Sequence, residues 1–370
     1  MKFFVSSPKG RWALVAKEAK MHGYKPFDSF DSWTYVEGEL DVAYRLNLRS
    51  RVANKIYIEA TKRTCLEFDH LFDLVDSVNW SDYVTAEQGV HVDAKVKSSV
   101  LSSTPTIQKI TLKAIMKQLA IKAGTDKRPV NKDTPPLNVV IYIENNKTKV
   151  LINTSWHALH ERGYRDKTGK APIKENVAAA LILQSGWNFS DPLWDPFCGS
   201  GTFAIEAAFI ARNIAPGLDR GFAFELFPIY EADAFETTRQ EALSKQYNKH
   251  YTIIATDIDP KMTAIAKQNA QNAEVDDTVT FITKDFLDGK VPYALDGKAI
   301  HMVTNPPYGK RINQDQAKEI SDLLGHMGEK WKYTGWFITL MPPLKRNKSL
   351  WKTKPVFNGP DLCTFYQVKK

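Results

Sequence analysis

Cysteine is scarce in this sequence: Cys65, Cys198 and Cys363 are the only three in 370 residues, widely separated and odd in number. That excludes a disulfide framework, offers no paired spacing for a zinc site, and suits a reducing cytoplasmic compartment. Long apolar runs are missing too. No stretch approaches the roughly 18 residues needed to span a bilayer, so no membrane partner is expected. The opening Met1-Lys2-Phe3-Phe4-Val5-Ser6 turns polar too soon for a secretory signal. There is no internal repeat and no low-complexity tract. No metal is called for, and a monomer is expected. Hydrophobic residues make up 43% and charged residues 25%, enough apolar material for a core in each of two or three domains.

Positive charge is what the chain does have, unevenly placed. The net charge is +8; residues 101–150 hold nine Lys/Arg against three Asp/Glu, and residues 301–370 hold twelve against five, leaving the remainder net negative. Nucleic acid is the natural partner of such blocks, because each neutralised phosphate releases counterions. A solvated lysine face is the alternative.

The first half mixes strands and helices. Residues 2–7 predict a strand and 9–23 a short helix stopped at Gly23. Residues 32–38 and 39–46 are expected as strands joined through Gly38, and 46–59 carries apolar residues at helical spacing. Val90–Val96 alternates, Thr106–Lys122 predicts a basic amphipathic helix, and Val139–Glu144 and Lys149–Asn153 alternate again around an Asn145-Asn146 turn. The stretch 123–137 is a loop by composition. Lys109, Lys113 and Lys117 on the basic helix are candidate RNA contacts.

From about residue 172 the pattern changes to regular alternation. Helix 172–185, strand 193–197, helix 201–213, strand 251–257, helix 260–273, strands 278–282 and 299–304, helix 313–328 and strand 334–340 follow in turn. Strands near 355–358 and 362–368 close the chain and should form an antiparallel hairpin at a sheet edge. Alternating strands and helices predict a mostly parallel sheet covered on both faces. The expected fold class is therefore α/β, a seven-stranded Rossmann-like sheet of the class I methyltransferase architecture behind an N-terminal α+β region.

Two loops carry the chemistry. Asp195-Pro196-Phe197-Cys198-Gly199-Ser200-Gly201-Thr202 lies between a strand and a helix. Gly199 and Gly201 allow a tight turn and close ligand approach, and the helix N-terminus offers N–H groups to a carboxylate. The loop is neither the dinucleotide nor the triphosphate fingerprint. Cys198 is either a nucleophile or a packed small residue. Asp257 in Thr256-Asp257-Ile258-Asp259-Pro260 can accept from ribose hydroxyls and Ile258 is a further cofactor-contact candidate, whereas Asp259 suits a helix cap. Asp285 can reach an adenine amine with Phe286 against the ring.

The second loop, Thr304-Asn305-Pro306-Pro307-Tyr308-Gly309, follows an apolar strand. Two prolines stiffen it and aim the Asn305 side-chain oxygen and the Pro306 carbonyl at one point. Accepting both hydrogens of an amine on a planar ring frees its lone pair to attack a sulfonium methyl, so positioning and preorganised electrostatics drive the step. Tyr308 can stack on the target base. The motif implies S-adenosylmethionine as cofactor and an amine on a planar system: adenine N6, guanine N2, cytosine N4 or the glutamine side-chain amide. The catalytic candidates are thus Asn305, Pro306, Pro307 and Tyr308.

With these motifs the sequence resembles the bacterial large-subunit ribosomal RNA guanine-N2 methyltransferases that carry a THUMP RNA-binding domain. Leu159-His160-Glu161-Arg162-Gly163-Tyr164-Arg165 with Ala171-Pro172-Ile173-Lys174-Glu175-Asn176 carries the likeness, as does Ile214-Ala215-Pro216-Gly217-Leu218-Asp219-Arg220 with Phe222-Ala223-Phe224-Glu225. The two loops above complete it. The resemblance implies a ferredoxin-like lead-in over 1–45, a THUMP domain over 46–155 and a catalytic domain over 156–370. It implies that Arg165, Pro172 and Lys174 help close over cofactor and substrate, and that Arg165, Lys310 and Arg311 touch RNA. The chain departs from the family at Ala255, where Gly is common, at Asn153-Thr154-Ser155-Trp156, and near Phe227. The implied activity is methyl transfer to guanine N2 of 23S ribosomal RNA. Transfer RNA is the rival substrate, and a non-catalytic RNA-binding assembly factor is the rival class.

Overall fold

Phe3 and Val5 are fully buried and Phe4 points to the opposite side, the alternation of a strand inside a sheet. In the computed structural model this strand, β1 (Lys2–Ser6), is one of seven in the first of two units. The structure describes residues 1–307 except 86, 125–129, 166–172 and 297, and beyond them 315–316, 318–320, 322–324, 334–339, 351–358 and 361–368. One unit comprises Met1–Ser7, Arg11–Leu159 and Arg220–Glu241; the other comprises Pro8–Gly10, His160–Asp219 and Ala242–Lys370. No described helix is long and apolar enough to cross a membrane.

The first unit runs β1, α1 (Trp12–Met21), β2 (Lys25–Phe30), β3 (Trp33–Glu37), α2 (Asp41–Arg49), β4 (Lys55–Thr64), α3 (Phe68–Asp76), β5 (Val90–Lys97), α4 (Thr104–Ala123), β6 (Leu137–Glu144) and β7 (Lys147–Asn153). The strand order is β2-β3-β1-β4-β7-β6-β5, antiparallel throughout except for the β5–β6 pair. Asn145 and Asn146 have φ of 50° and 63° and turn the β6–β7 hairpin as expected.

Two expectations reverse here. Residues 39–46 do not form a strand; they open α2, which buries Val42, Ala43 and Leu46 on one side and starts with Asp41 at its positive end. Residues 46–59 are not a helix beyond Arg49; Ile56, Tyr57 and Ile58 belong to β4. That strand lies between β1 and β7 and is buried on both faces over Ile56, Tyr57, Ile58 and Glu59. Its side chains therefore lose the two-residue polarity alternation that betrays a half-buried strand.

The second unit runs α5 (Glu175–Ser185), β8 (Leu193–Asp195), α6 (Thr202–Ala211), α7 (Ala232–Ser244, shared with the first unit), β9 (Ile253–Asp257), α8 (Pro260–Asn272), β10 (Val279–Thr283), β11 (His301–Thr304), β12 (Thr334–Thr339), β13 (Trp351–Asn358) and β14 (Asp361–Val368). The order β10-β9-β8-β11-β12-β14-β13 is parallel from β10 to β12, and β14 is antiparallel to both its neighbours. The expected closing hairpin thus lies at one edge. From β8 the chain winds outward through β9 and β10, then returns to place β11 on the other flank of β8. That reversal makes the carboxyl ends of β8 and β11 the place where a ligand finds an open crevice. The expected helix over 313–328 falls partly outside the described residues.

Residues 220–241, from the second half of the sequence, group with the first unit. Tyr44 packs against Phe224 and Phe235 at ring distances of 4.9 and 5.6 Å, and the Glu231 N–H donates to its hydroxyl at 3.0 Å. Arg45 pairs with Glu241, and Arg220 donates to the Ala158 and His157 carbonyls at 3.0 and 3.1 Å. Helix α7, with charges at 233, 236, 239 and 241, gives a weak apolar pattern and is not among the expected elements.

Candidate active site

The loop after β8 turns because its glycines permit it. Gly199 and Gly201 have φ of 51° and 87°. A Cβ on Gly201 would come within 3.1 Å of the Ala266 Cβ and 3.3 Å of the Phe281 ring, so a side chain is excluded by space as well as by dihedral. Gly201 is also the N-cap of α6, which has no side-chain cap, so its first N–H groups face the loop. The Cys198 N–H donates to the Thr256 carbonyl at 2.9 Å, and Asn269 Nδ2 donates to the Ser200 carbonyl at 3.0 Å. Loop, β9 and α8 are thereby tied together.

Asp257, at the end of β9, holds the same loop. Its Oδ2 accepts from the Gly199 N–H and its Oδ1 from the Asp259 N–H, both at 3.0 Å. Each oxygen keeps a further lone pair, so this arrangement orients the carboxylate without saturating it. Ile258 is 65% exposed beside it. Asp259 caps α8 through the Lys261 N–H at 2.9 Å, as its position before Pro260 suggested. Asp285 is exposed and accepts from the Leu287 N–H at 2.9 Å. Phe286 is buried, with its ring 4.8 Å from that of Phe197, so it supports the crevice wall from behind through Phe197.

Asp195 ends β8 and is 1% exposed. Its Oδ1 accepts from the Thr304 hydroxyl at 2.6 Å and the Phe197 N–H at 3.2 Å; its Oδ2 is buried with no partner among the described residues. Burial pushes the carboxyl up to about 7; the Thr304 and Phe197 hydrogen bonds oppose this and the Asp257 charge adds to it. Pro196 and Thr202 are buried as well. Cys198 is buried, and burial holds its thiol well above its ordinary range, the condition of a packed thiol and not of a nucleophile.

Asn305 and Pro306 follow Thr304 directly, so the Thr304–Asp195 bond anchors the second loop to the first. Asn305 Oδ1 is buried and has no hydrogen-bond partner among the described residues. Pro306 is buried and Pro307 half-buried. Tyr308, Lys310 and Arg311 lie outside the described residues, as does Pro172. Lys174 is exposed just before α5.

Two ion pairs not foreseen from the sequence stand behind the first loop. Arg162 and Glu206 are essentially fully buried, 3.3 Å apart, with the Tyr164 hydroxyl 3.4 Å from the same carboxylate. Arg165, expected on RNA, instead turns inward: it pairs with Glu175 at 3.2 Å and donates to the Thr202 hydroxyl at 2.7 Å and the Ile173 carbonyl at 3.2 Å. The signal for Glu206 was present, since a lone acid in the run Thr202-Phe203-Ala204-Ile205-Glu206-Ala207-Ala208 must find a buried cation. Which arginine answers it could not be read from spacing. His301 is buried with Nε2 2.8 Å from the Ser185 hydroxyl, a structural contact. In the first unit, Lys109, Lys113 and Lys117 are all exposed on α4; Lys117 lies 3.3 Å from Asp76.

Comparison with known proteins agrees with this architecture. Three family models match: the RlmL ferredoxin-like domain over residues 2–57, the THUMP domain over 65–153, and the RMKL-like methyltransferase domain over 162–358. The chain is 33% identical over 373 residues to the "Putative RNA methyltransferase YpsC" of Bacillus subtilis (strain 168), covering 98% of this chain and 94% of that one. It is 30% identical over 381 residues to the "Ribosomal RNA large subunit methyltransferase K/L" of Shewanella frigidimarina (strain NCIMB 400), covering 98% of this chain and 52% of that one. The chain therefore spans about half the length of the K/L relative. A solved structure described as "a putative methyltransferase complexed with SAH" is 31% identical, with a TM-score of 0.89 over 100% of this chain and 97% of that one. A class I methyltransferase sheet preceded by ferredoxin-like and THUMP domains, with the RMKL-like model covering residues 162–358, means that this chain belongs to the RMKL-like methyltransferase family.

Proposed function

We propose that the chain methylates the exocyclic N2 amine of a guanosine in 23S ribosomal RNA, using S-adenosylmethionine. The observation that carries this reading is the buried, unpartnered Oδ1 of Asn305, held by two prolines at the carboxyl end of β11 beside Asp195. A buried acceptor without a donor costs about 1–3 kcal/mol, and a substrate amine offers the missing donor.

The residues around the first loop fit the cofactor. The uncapped N-terminus of α6 suits a carboxylate, the Asp257 carboxylate suits ribose hydroxyls, and the unpartnered Asp195 Oδ2 suits a cationic or N–H-bearing group. The crevice wall formed by Phe197 suits the base, with Ile258 exposed nearby and Asp285 in reach of an amine. When bound, S-adenosylmethionine supplies an electrophilic methyl on a sulfonium. Asn305 Oδ1 and the Pro306 carbonyl accept the two amine hydrogens and turn the nitrogen lone pair outward. The stiff Pro306-Pro307 pair keeps that acceptor geometry without reorganisation. Tyr308 stacks on the base, and solvent takes the departing proton.

Ribosomal RNA as the substrate is supported by relatives named for the ribosomal large subunit; guanine among the planar amines rests on the resemblance carried by the Arg162–Arg165 and Ile214–Arg220 segments. We assign the lead-in to 1–45, the THUMP domain to 46–155 and the catalytic domain to 156–370. Lys109, Lys113 and Lys117, with Lys310 and Arg311, meet the RNA backbone in this scheme. The test is methylation of ribosomal RNA and transfer RNA separately, followed by nucleoside mass spectrometry. N2-methylguanosine in ribosomal RNA is expected; its appearance only in transfer RNA moves the substrate, and its absence from both overturns the assignment.

A further inference from the structure

The first unit holds an aromatic surface that the methyl-transfer site leaves unexplained. Strand alternation puts Phe4, Trp33, Tyr35, Tyr57 and Tyr142 on one face of its sheet, opposite Phe3, Val5 and Ile56. Phe4 lies 5.5 Å from the Trp33 and Tyr35 rings, 6.2 Å from Tyr57 and 6.3 Å from Tyr142. The surface extends onto β2, where Phe27 and Phe30 are 47% and 67% exposed. Phe4, Tyr35 and Tyr57 are buried and Trp33 and Tyr142 half-buried, so the water-facing part of this face is the edge carried by Phe27 and Phe30 with the rims of Trp33 and Tyr142.

A cavity of about 290 Å³ opens on this face. Phe4, Trp33, Tyr57 and Tyr142 are the rings in its lining. That size lies near the lower end of small-molecule sites, roughly 300–1,000 Å³, which admits a planar base and excludes a helix or a duplex. Most of the rest of the lining is polar, Lys55, Lys95, Asp93, Asn54, Asn138 and Asn153 among it, with Val140 and Leu151 apolar. The Asn138 Oδ1 is buried and has no partner among the described residues. Beside the cavity, the half-buried Lys149 ammonium sits 4.9–5.6 Å from the ring centres of Trp33, Tyr35, Phe4 and Tyr142.

We propose that this cavity binds an unpaired nucleotide of single-stranded RNA, with the base against the Phe4, Trp33 and Tyr142 rings and the phosphates toward Lys55, Lys95 and Lys149. The inference rests on the reading of the chain as an RNA methyltransferase, and it names a contact with that RNA away from the reacting amine. Sequence-tolerant binding of single strands needs stacking rings beside cations that follow the backbone, and both are present here. The amides and Asp93 suit the hydrogen-bonding edge of a base; an apolar peptide laid over them would leave them unpaired.

The test uses the full chain and a single-stranded oligonucleotide carrying 4-thiouridine, with photocrosslinked peptides mapped by mass spectrometry and affinity read by fluorescence anisotropy. Crosslinks to the peptides holding Trp33, Tyr57 or Tyr142 are expected. Tyr142→Ala should weaken oligonucleotide binding roughly tenfold, the order expected when one stacking ring is removed. Lys95→Glu, at an exposed position, should weaken it similarly and reduce its salt dependence, with S-adenosylhomocysteine affinity unchanged in both. Unaltered affinity in both variants, crosslinks confined to other surfaces, or wild-type chain that binds no oligonucleotide would overturn the proposal. Variant-sensitive crosslinking by a chain that forms no N2-methylguanosine would support the cavity and refute the assigned reaction instead.

Discussion

The Thr304 hydroxyl donates a 2.6 Å hydrogen bond to Oδ1 of Asp195, joining residues 109 apart in sequence at the carboxyl ends of two neighbouring strands. It fixes the loop that presents Asn305 against the loop that turns at Gly199 and Gly201. In the proposed reaction, the loop assigned to the amine and the loop assigned to the cofactor are thus referred to one another by a buried hydrogen bond.

Asn305→Ala removes the unpartnered acceptor and should lower kcat by about a hundredfold or more, the range seen when one preorganised polar group is lost. Affinity for RNA and for S-adenosylhomocysteine should stay near wild type. Steady-state kinetics with calorimetric binding would check this, and retained turnover would remove Asn305 from the mechanism.

The raised Asp195 carboxyl has a consequence for pH. Between about pH 4 and 7 the unfolded chain has lost this proton while the folded chain keeps it, so native stability falls as pH rises through that window and levels off above it. Asp195→Asn abolishes this dependence. Without added ligand, the variant should melt about 2–6 °C higher than wild type at pH 8, with the difference shrinking toward pH 4. A gain that is equal at both pH values would show that Asp195 titrates normally in the folded state.

Arg162 and Glu206 form a buried pair that neither partner can leave alone. Arg162→Met should cost about 3–5 kcal/mol by stranding the carboxylate, whereas Arg162→Met with Glu206→Leu should recover most of it. Urea unfolding of both single variants and the double variant gives the coupling directly; additive losses would mean that the two side chains act separately.

Gly201→Ala asks a β-carbon to fit 3.1 Å from Ala266 at φ of 87°. A loss of about 1–3 kcal/mol is expected from overpacking and backbone strain, together with weaker S-adenosylhomocysteine binding. Gly186→Ala is the control, since a Cβ there meets nothing within 4 Å despite a φ of 73°; an equal effect on cofactor binding would deny Gly201 its special place.

Replacing Lys109, Lys113 and Lys117 together by Ala should weaken RNA binding and flatten its dependence on salt, by about 0.9 in log–log slope for each duplex phosphate that is no longer neutralised. A titration of affinity against potassium chloride measures this. An unchanged slope would put the RNA backbone on other surfaces of the chain.

Much of the second unit was legible because its parallel strands are short apolar runs separated by helices, and because the loops at Asp195–Thr202 and Thr304–Pro307 carry residues whose backbone or donor properties are unusual. The first unit was harder. Its central strand β4 is buried on both faces in its first half, so Ile56, Tyr57 and Ile58 do not alternate with polar residues, and the start of α2 reads as a strand until Val42 and Leu46 are seen to share one side.

By itself the sequence determined the pieces whose physics is local: which turns need glycine, which loop proline stiffens, which helix Asp259 caps, and where basic charge accumulates. Tertiary structure alone decided the pairings. Glu206 could have met any cation, and it met Arg162; Arg165 was free to face RNA, and it turned to Glu175 and Thr202. The aromatic face of the first sheet likewise exists only once β1, β3, β4 and β6 are in register. Long-range pairings depend on strand order and register, and side-chain spacing along a chain does not encode which distant partner will be brought within reach.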